Sequence, residues 1–326
     1  MPTLQIDSHP AVPDPAFDRD AIASLQANRI DPKFLYATTR QAELWRQVSL
    51  RHSPISANPE FVRIYRDAYT RILEQTTSKK ICLVGLGCGT GRKELDLHSA
   101  LQARGIETLF TAIDISPDLV RESAQKLVAA GAAHHRSLVC DLAQTEFLAP
   151  WLDRLTGDLP RLITFFGLVP NLAPSAVLRL FRAVLRPGDL LLASVHLAPV
   201  AADHPDAIAP AMQTVLPQYD NPETLAWLAA ALEHWGLENL LGPPALTIGE
   251  AEGIPAFLAL AKWKTGDPFE KWGHRFSPPK DAPLRLFYSL RYTPALWENL
   301  LLRERLTAQP LALTSCRQEA IWSVKV

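Results

Sequence analysis

Apolar and polar positions follow three rhythms along the chain. From Phe61 to Leu73 apolar residues recur at helical spacing, and residues 21–78 read mainly as helix. From 80 to 198 short apolar runs (81–86, 108–113, 135–140, 162–166 and 190–195) alternate with helical stretches. The clearest of these, 174–185, stops at Arg186-Pro187-Gly188-Asp189. Such alternation predicts an α/β fold with a parallel sheet and crossover helices. After 198 the rhythm changes. Helical stretches around 207–216 and 222–235 precede two β-prone pieces, 256–263 and 284–292, which predict a second α+β lobe inserted in the sheet. A helix over 293–306 and a strand over 320–326 return the chain to it. The expected organisation is a helical segment over 1–78, a sheet domain over 79–198 and 295–326, and an inserted lobe over 199–294. Pro2, Pro10, Pro13 and Pro15, and the prolines across 243–283, mark loops, with the first twenty or so residues partly disordered.

Composition narrows the partners. The chain has 326 residues, 48% of them hydrophobic, which supplies a sizeable core, and a formal net charge of −1. That balance offers no attraction to nucleic acid or an anionic membrane. No apolar run is long enough to span a bilayer, and the N-terminus lacks a signal-peptide pattern, so a cytoplasmic protein is expected. A small-molecule partner and a monomer or weak homodimer are expected. The four cysteines, at 82, 88, 140 and 316, form no C-x-x-C pair, which leaves neither a zinc site nor a dithiol motif. Cys82 reads as core. Cys88 sits where a glycine turn needs a small side chain, and no neighbour in sequence reads as a base for it. His134-His135 reads as solvated loop rather than a metal ligand.

The chemistry concentrates in Ile81-Cys82-Leu83-Val84-Gly85-Leu86-Gly87-Cys88-Gly89-Thr90-Gly91. A buried strand feeds glycines at every second position, and a helix follows. Glycine tolerates positive φ and lets a ligand approach bare backbone. The spacing is neither G-x-G-x-x-G nor G-x-x-x-x-G-K-[ST], so the dinucleotide fingerprint and the P-loop are excluded. About twenty residues on, a second strand ends at Asp114, placed to accept hydrogen bonds from ribose hydroxyls or to cap the helix behind it; the strand-glycine-helix-strand-Asp order favours the ribose role. Ser116-Pro117 reads as a helix start, with an N-cap oxygen and Pro at N1. A third strand ends at Asp141, which either meets an adenine amino group or caps a turn.

The G-x-G-x-G pattern resembles motif I of class I methyltransferases that use S-adenosylmethionine, which implies their Rossmann-like sheet. From about residue 29 onward the chain is similar to one family in particular, the histidine Nα-methyltransferases of ergothioneine biosynthesis. Asp31-Pro32-Lys33-Phe34-Leu35-Tyr36 resembles its P-K-x-F-Y segment, and Gly87-Cys88-Gly89-Thr90 with Lys93 its G-S-G-T-x-x-K loop. Phe166 to Asn171 resembles its F-x-G-S-x-I-G-N segment with one residue fewer, and Leu185 to Leu192 its L-x-P-G-D-x-L-L-L turn and strand. Gln218-Tyr219-Asp220-Asn221 and Ser289-Leu290-Arg291-Tyr292 resemble its A-Y-D/N-D and S-x-K-F/Y segments.

The resemblance implies S-adenosylmethionine as cofactor, contacted by Tyr36, Gly85, Gly87, Gly89, Thr90, Lys93, Asp114, Ile115, Asp141 and Leu142. It implies that Tyr36, Asn171 and Tyr219 act at the reaction centre. Asn171 and Tyr219 hold an amino-acid acceptor, with Gly167 beside them and Ser289 facing its side chain. Two departures bear on the acceptor. The family's glutamate, which reads the imidazole of histidine, is Phe287 here. An imidazole N–H buried against phenyl loses its acceptor, at about 1–3 kcal/mol, so histidine is not the expected substrate. The family's P-E-Y-Y-P turn is Leu50-Arg51-His52-Ser53-Pro54 here, and Arg51 or His52 is expected to approach an anionic group. His196, past the fifth strand, is either a proton acceptor or an ordinary polar residue at the sheet edge. The expected activity is methylation of an amino-acid amine or a related small molecule. O-, S- or C-methylation, or a silent cofactor-binding relative, are the alternatives.

Overall fold

The computed structural model describes residues 4–9, 12, 16–134, 136–199 and 207–326. Pro2, Pro10, Pro13, Pro15 and His135 lie outside the described residues. Strand β2 (Lys80–Leu86) is apolar on both faces, and six of its seven residues are buried, which suits the middle of a sheet covered on both sides. It pairs in parallel with β3 (Glu107–Asp114) on one side and β6 (Arg161–Phe165) on the other. Beyond β3 lie β4 (Ala133–His134), β5 (Ser137–Val139) and then β1 (Ile6–Ser8). Beyond β6 lies β7 (Leu190–His196), then the antiparallel pair β14 (Glu319–Lys325) and β13 (Thr307–Leu313). The strand order therefore reverses at β2, and such a switch point opens a crevice at the carboxyl ends of the strands.

Helices cover both faces: α5 (Arg92–Ala103), α6 (Pro117–Ala129), α7 (Thr145–Thr156), α8 (Pro174–Val184) and α11 (Pro294–Arg303). Successive β2 residues point to opposite faces. Val84 joins the apolar cluster with Val177 and Phe181 of α8, and Leu83 joins the other with Leu97 of α5 and Val120 of α6. The Pro-Gly-Asp turn ahead of β7 has its own anchor. Asp189 accepts from the backbone of Arg186 at 2.9 Å and from Arg161 Nε at 2.8 Å, which ties β6 to β7. Before the sheet come α1 (Ala16–Gln26), α2 (Thr39–His52), α3 (Pro54–Ala57) and α4 (Pro59–Gln75). In α4, Phe61, Ile64, Tyr65, Ala68, Tyr69, Ile72 and Leu73 form the buried stripe that the helical spacing predicts.

Between β7 and α11 stand α9 (Ile208–Gln213), α10 (Pro222–His234) and a separate antiparallel sheet of β8 (Ala245–Ala251), β9 (Ile254–Lys262) and β12 (Pro283–Leu290), with the hairpin β10 (Phe269–Lys271) and β11 (His274–Phe276). Its core gathers Trp227, Trp235, Leu284 and Leu286 together with Ala21, Leu25, Phe34 and Leu35, so the N-terminal segment packs on the lobe.

Five features depart from the pattern reading. The strand expected over 135–140 forms as β5 over Ser137–Val139, and His134, expected in a solvated loop, stands in β4 beside Phe110 of β3. Ser116 makes no side-chain cap; its backbone N–H donates instead to Asp114 Oδ1 at 3.0 Å. Strand β8 was not expected, because its half-exposed positions include Gly249 and Glu250 and its alternation is weak. Nor was β13, where Pro310 breaks the pattern beside a register shift. Among the described residues no helix is long and apolar enough to cross a membrane.

Candidate active site

A cavity of about 500 Å³ opens at the carboxyl ends of β2, β3, β6 and β7, and residues of the N-terminal segment and the lobe complete its wall. One half is backbone. After β2, Gly87 and Gly89 take positive φ (61° and 52°). A Cβ on Gly89 would lie 2.6 Å from Trp45 Cη2, and one on Gly87 would overlap the Leu168 side chain, so only glycine fits. Asp114 ends β3 at the cavity wall. Its Oδ2 accepts from Gly89 N at 3.0 Å and its Oδ1 from Ser116 N, with the Ile115 N–H as a third backbone donor, and lone-pair capacity remains for a ligand hydroxyl. Burial raises its pKa, and the backbone donors oppose that rise. Thr90, Ile115, Asp141 and Leu142 line the same end. Asp141 is tied to the N-terminal segment, since Lys33 Nζ donates to it at 2.9 Å and to Asp20 at 2.7 Å. Burial pulls the Lys33 ammonium down, but the two carboxylates outweigh it and raise its pKa. A glycine cradle that excludes any Cβ, with a carboxylate keeping free lone pairs beside it, fits an adenosyl cofactor.

The other half is side chain. Thr38 and Gln41 form a capping box that starts α2, and Gln41 Nε2 also donates to Phe34 O at 2.9 Å. Trp227 Nε1 of α10 donates to Leu35 O at 3.0 Å. These two bonds hold the turn that delivers Tyr36 to the cavity. Its ring centroid lies 5.9 Å from Trp45 and 5.5 Å from Trp227. Trp227 in turn meets Phe287 of β12 at 5.8 Å, and Phe287 meets Tyr219 at 6.3 Å. All five rings line the cavity. Burial and then Asp114 push the Tyr36 phenol up, so it stays protonated.

Polar groups close the floor. Asn171 Nδ2 donates to Gly167 O at 3.1 Å, which fixes the amide and leaves its Oδ1 to accept. Tyr65 donates to Glu319 at 2.6 Å, and Lys93 Nζ stands 4.8 Å from the Tyr65 ring centroid. The enclosure lowers the Lys93 pKa, against Glu319 and Glu94. His196 stands at the end of β7 on the cavity wall. Burial, then Arg291 and Lys93, depress its pKa, so the ring is neutral. Its Nδ1 is buried without a hydrogen-bond partner among the described residues. An orphaned buried N–H is less tolerated than an orphaned acceptor, so we assign the ring proton to Nε2, which makes His196 a donor. Cys88 is no nucleophile, because burial, then Asp114 and Glu94, push its thiol well up.

The structure thus gathers Tyr36, Gly87, Gly89, Thr90, Lys93, Asp114, Ile115, Asp141, Leu142, Gly167, Asn171, Tyr219, Phe287 and His52 around one cavity. It leaves three expected residues off the wall. Gly85 is a strand residue whose added Cβ would meet Cys88 Cβ at 2.9 Å, so its smallness serves packing. Arg51 is 62% exposed and pairs with Glu223, which also holds His52 at 3.0 Å. Ser289 is fully buried behind Tyr219, 3.1 Å from its hydroxyl. Sequence reasoning missed Trp45 and Trp227, which read as ordinary helix positions, and Arg291. The Arg291 guanidinium is buried and donates to Tyr219 Oη at 2.7 Å and to Ser289 Oγ at 3.2 Å, with no carboxylate partner among the described residues. It lies over the stacked rings of Tyr219 and Phe257.

No curated protein matches the chain. Among solved structures it is similar to an S-adenosylmethionine-dependent methyltransferase from Bacteroides fragilis in complex with S-adenosyl-L-homocysteine (13% identity, 81% of this chain and 80% of that one, TM-score 0.37). It is also similar to CalS10, an amino pentose methyltransferase from Micromonospora echinaspora (11% identity, 80% and 90%, TM-score 0.35). A third is OxaC in complex with S-adenosylhomocysteine and oxaline (12% identity, 90% and 52%, TM-score 0.45). The family model for histidine-specific, S-adenosylmethionine-dependent methyltransferases matches residues 17–213. That match spans more than half of the chain, which belongs to this family of S-adenosylmethionine-dependent methyltransferases.

Proposed function

We propose that the protein methylates the amine of an amino acid or related small molecule other than histidine. Phe287 carries this reading. It stands on the acceptor wall where the resemblance expects the carboxylate that reads imidazole, and it is packed between Trp227 and Tyr219. Of the carboxylates that line the cavity, Glu319 accepts from Tyr65, Glu94 from Thr164, Asp141 from Lys33 and Glu122 from Arg46 and Lys126, while Asp114 stands in the glycine-turn half.

The bound cofactor supplies an electrophilic methyl group on a positively charged sulfur. Gly87, Gly89, Asp114 and Asp141 would hold its adenosine, and Lys93 would supply a cation for its carboxylate. A neutral thioether leaves without an acid, so the protein's work is alignment and exclusion of water. Asn171 Oδ1 accepts from the acceptor amine and aims its lone pair. Tyr219 accepts from Arg291, so its own proton is available to an acceptor carboxylate. Tyr36 and His196 add further donors; the amine attacks with its lone pair free, and the proton it sheds after methylation passes to solvent.

Mass spectrometry of reactions with S-adenosylmethionine and a panel of amino acids and amines tests the reading. The expected result is methyl gain on the nitrogen of a compound other than histidine. Methylation confined to histidine, or to oxygen, sulfur or carbon, overturns it.

A further inference from the structure

Building on the amine reading, we infer that the acceptor is an α-amino acid with an aromatic side chain, seated among Tyr36, Trp227, Phe287 and Tyr219. Successive rings of this wall are turned against one another, by 50° between Tyr36 and Trp227, 70° between Trp227 and Phe287, and 30° between Phe287 and Tyr219. The wall therefore offers both faces and edges, and edge-to-face and offset contacts are what a guest ring favours.

The polar handles of the wall are held by the protein or turned to the acceptor's amine and carboxylate. The Trp227 N–H goes to Leu35 O, and the Tyr219 hydroxyl is bound by Arg291 and Ser289. Ser289, expected to read the side chain, is sealed beneath Tyr219 and bonded to Arg291. These four side chains carry no carboxylate or amide to accept from an imidazole or an ammonium group. An alkyl side chain would fill the space without the ring contacts.

The test measures kcat/KM for phenylalanine, tyrosine, tryptophan, leucine, lysine and histidine, with cofactor affinity measured separately by calorimetry. An aromatic amino acid should lead, with leucine, lysine and histidine lower by about tenfold or more. Leucine, lysine or histidine at or above the best aromatic overturns this inference and leaves the amine reading standing. Cofactor binding with no amino acid or amine methylated defeats both. In Phe287→Glu, with cofactor affinity unchanged as the check on folding, the ratio of histidine to phenylalanine turnover should rise by about tenfold or more. An unchanged ratio counts against the aromatic subsite.

Discussion

The two halves of the cavity are built in opposite ways. The cofactor half is backbone and two carboxylates, drawn from the turn after β2 and the ends of β3 and β5. The acceptor half is side chain, drawn from the N-terminal turn, α2, α10 and β12, which meet only when the lobe packs on the N-terminal segment. Backbone sites tolerate almost no change, because a Cβ there overlaps its neighbours. Side-chain sites change their ligand by one substitution while the scaffold stays. On the proposed reading, the family's shared cofactor chemistry resides in the first half and the acceptor specificity in the second.

Gly89→Val attacks the first half most severely. It combines positive φ with overlap on Trp45, and cofactor binding should fall below detection by calorimetry while the circular dichroism spectrum is retained. Asp114→Ala removes a charged acceptor without adding bulk and should weaken cofactor binding by about 10–100-fold. Arg291→Met probes the second half. It takes the donor from Tyr219, so KM for the acceptor should rise by about tenfold, with cofactor affinity unchanged and partial rescue by Arg291→Lys. Equal losses in acceptor and cofactor binding would mean that Arg291 only supports the fold.

The pH dependence of cofactor binding gives a finer test. Burial holds the Asp114 pKa above its ordinary value of 3.8. An ionised carboxylate is the stronger acceptor for ribose hydroxyls, so affinity should decline as pH falls through that raised value. Asp114→Asn should flatten the decline. The smallest effect belongs to Arg51. Its exposed pairing with Glu223 is screened by solvent and adds little, and Arg51→Ala should leave acceptor KM within about twofold, against the sequence expectation that Arg51 approaches an anionic group of the acceptor.

This asymmetry also explains what could be read in advance. Strands β2, β3, β6 and β7, the glycine turn and Asp114 were legible because each signal is contiguous: an apolar run, a spacing, an acidic strand end. Gly85 was over-read by the same logic, since one spacing holds both a packing glycine and two ligand-facing ones. The acceptor wall has no contiguous signal. Trp45 and Trp227 sit on helices whose periodicity explains them as core, and only the packing of α10 against the N-terminal turn brings them to the cavity. Arg291 was hidden because its partners, Tyr219 and Ser289, are 72 and 2 residues away and neither is acidic. Ser289 carried the right motif but lies one layer too deep.

Calorimetric titration of S-adenosylmethionine into the wild-type protein, Asp114→Ala and Phe287→Glu tests the division between the halves most directly. The expected result is saturable binding by the wild type, strongly weakened binding by Asp114→Ala, and unchanged affinity in Phe287→Glu. No binding by the wild type, or equal weakening in both variants, would contradict it.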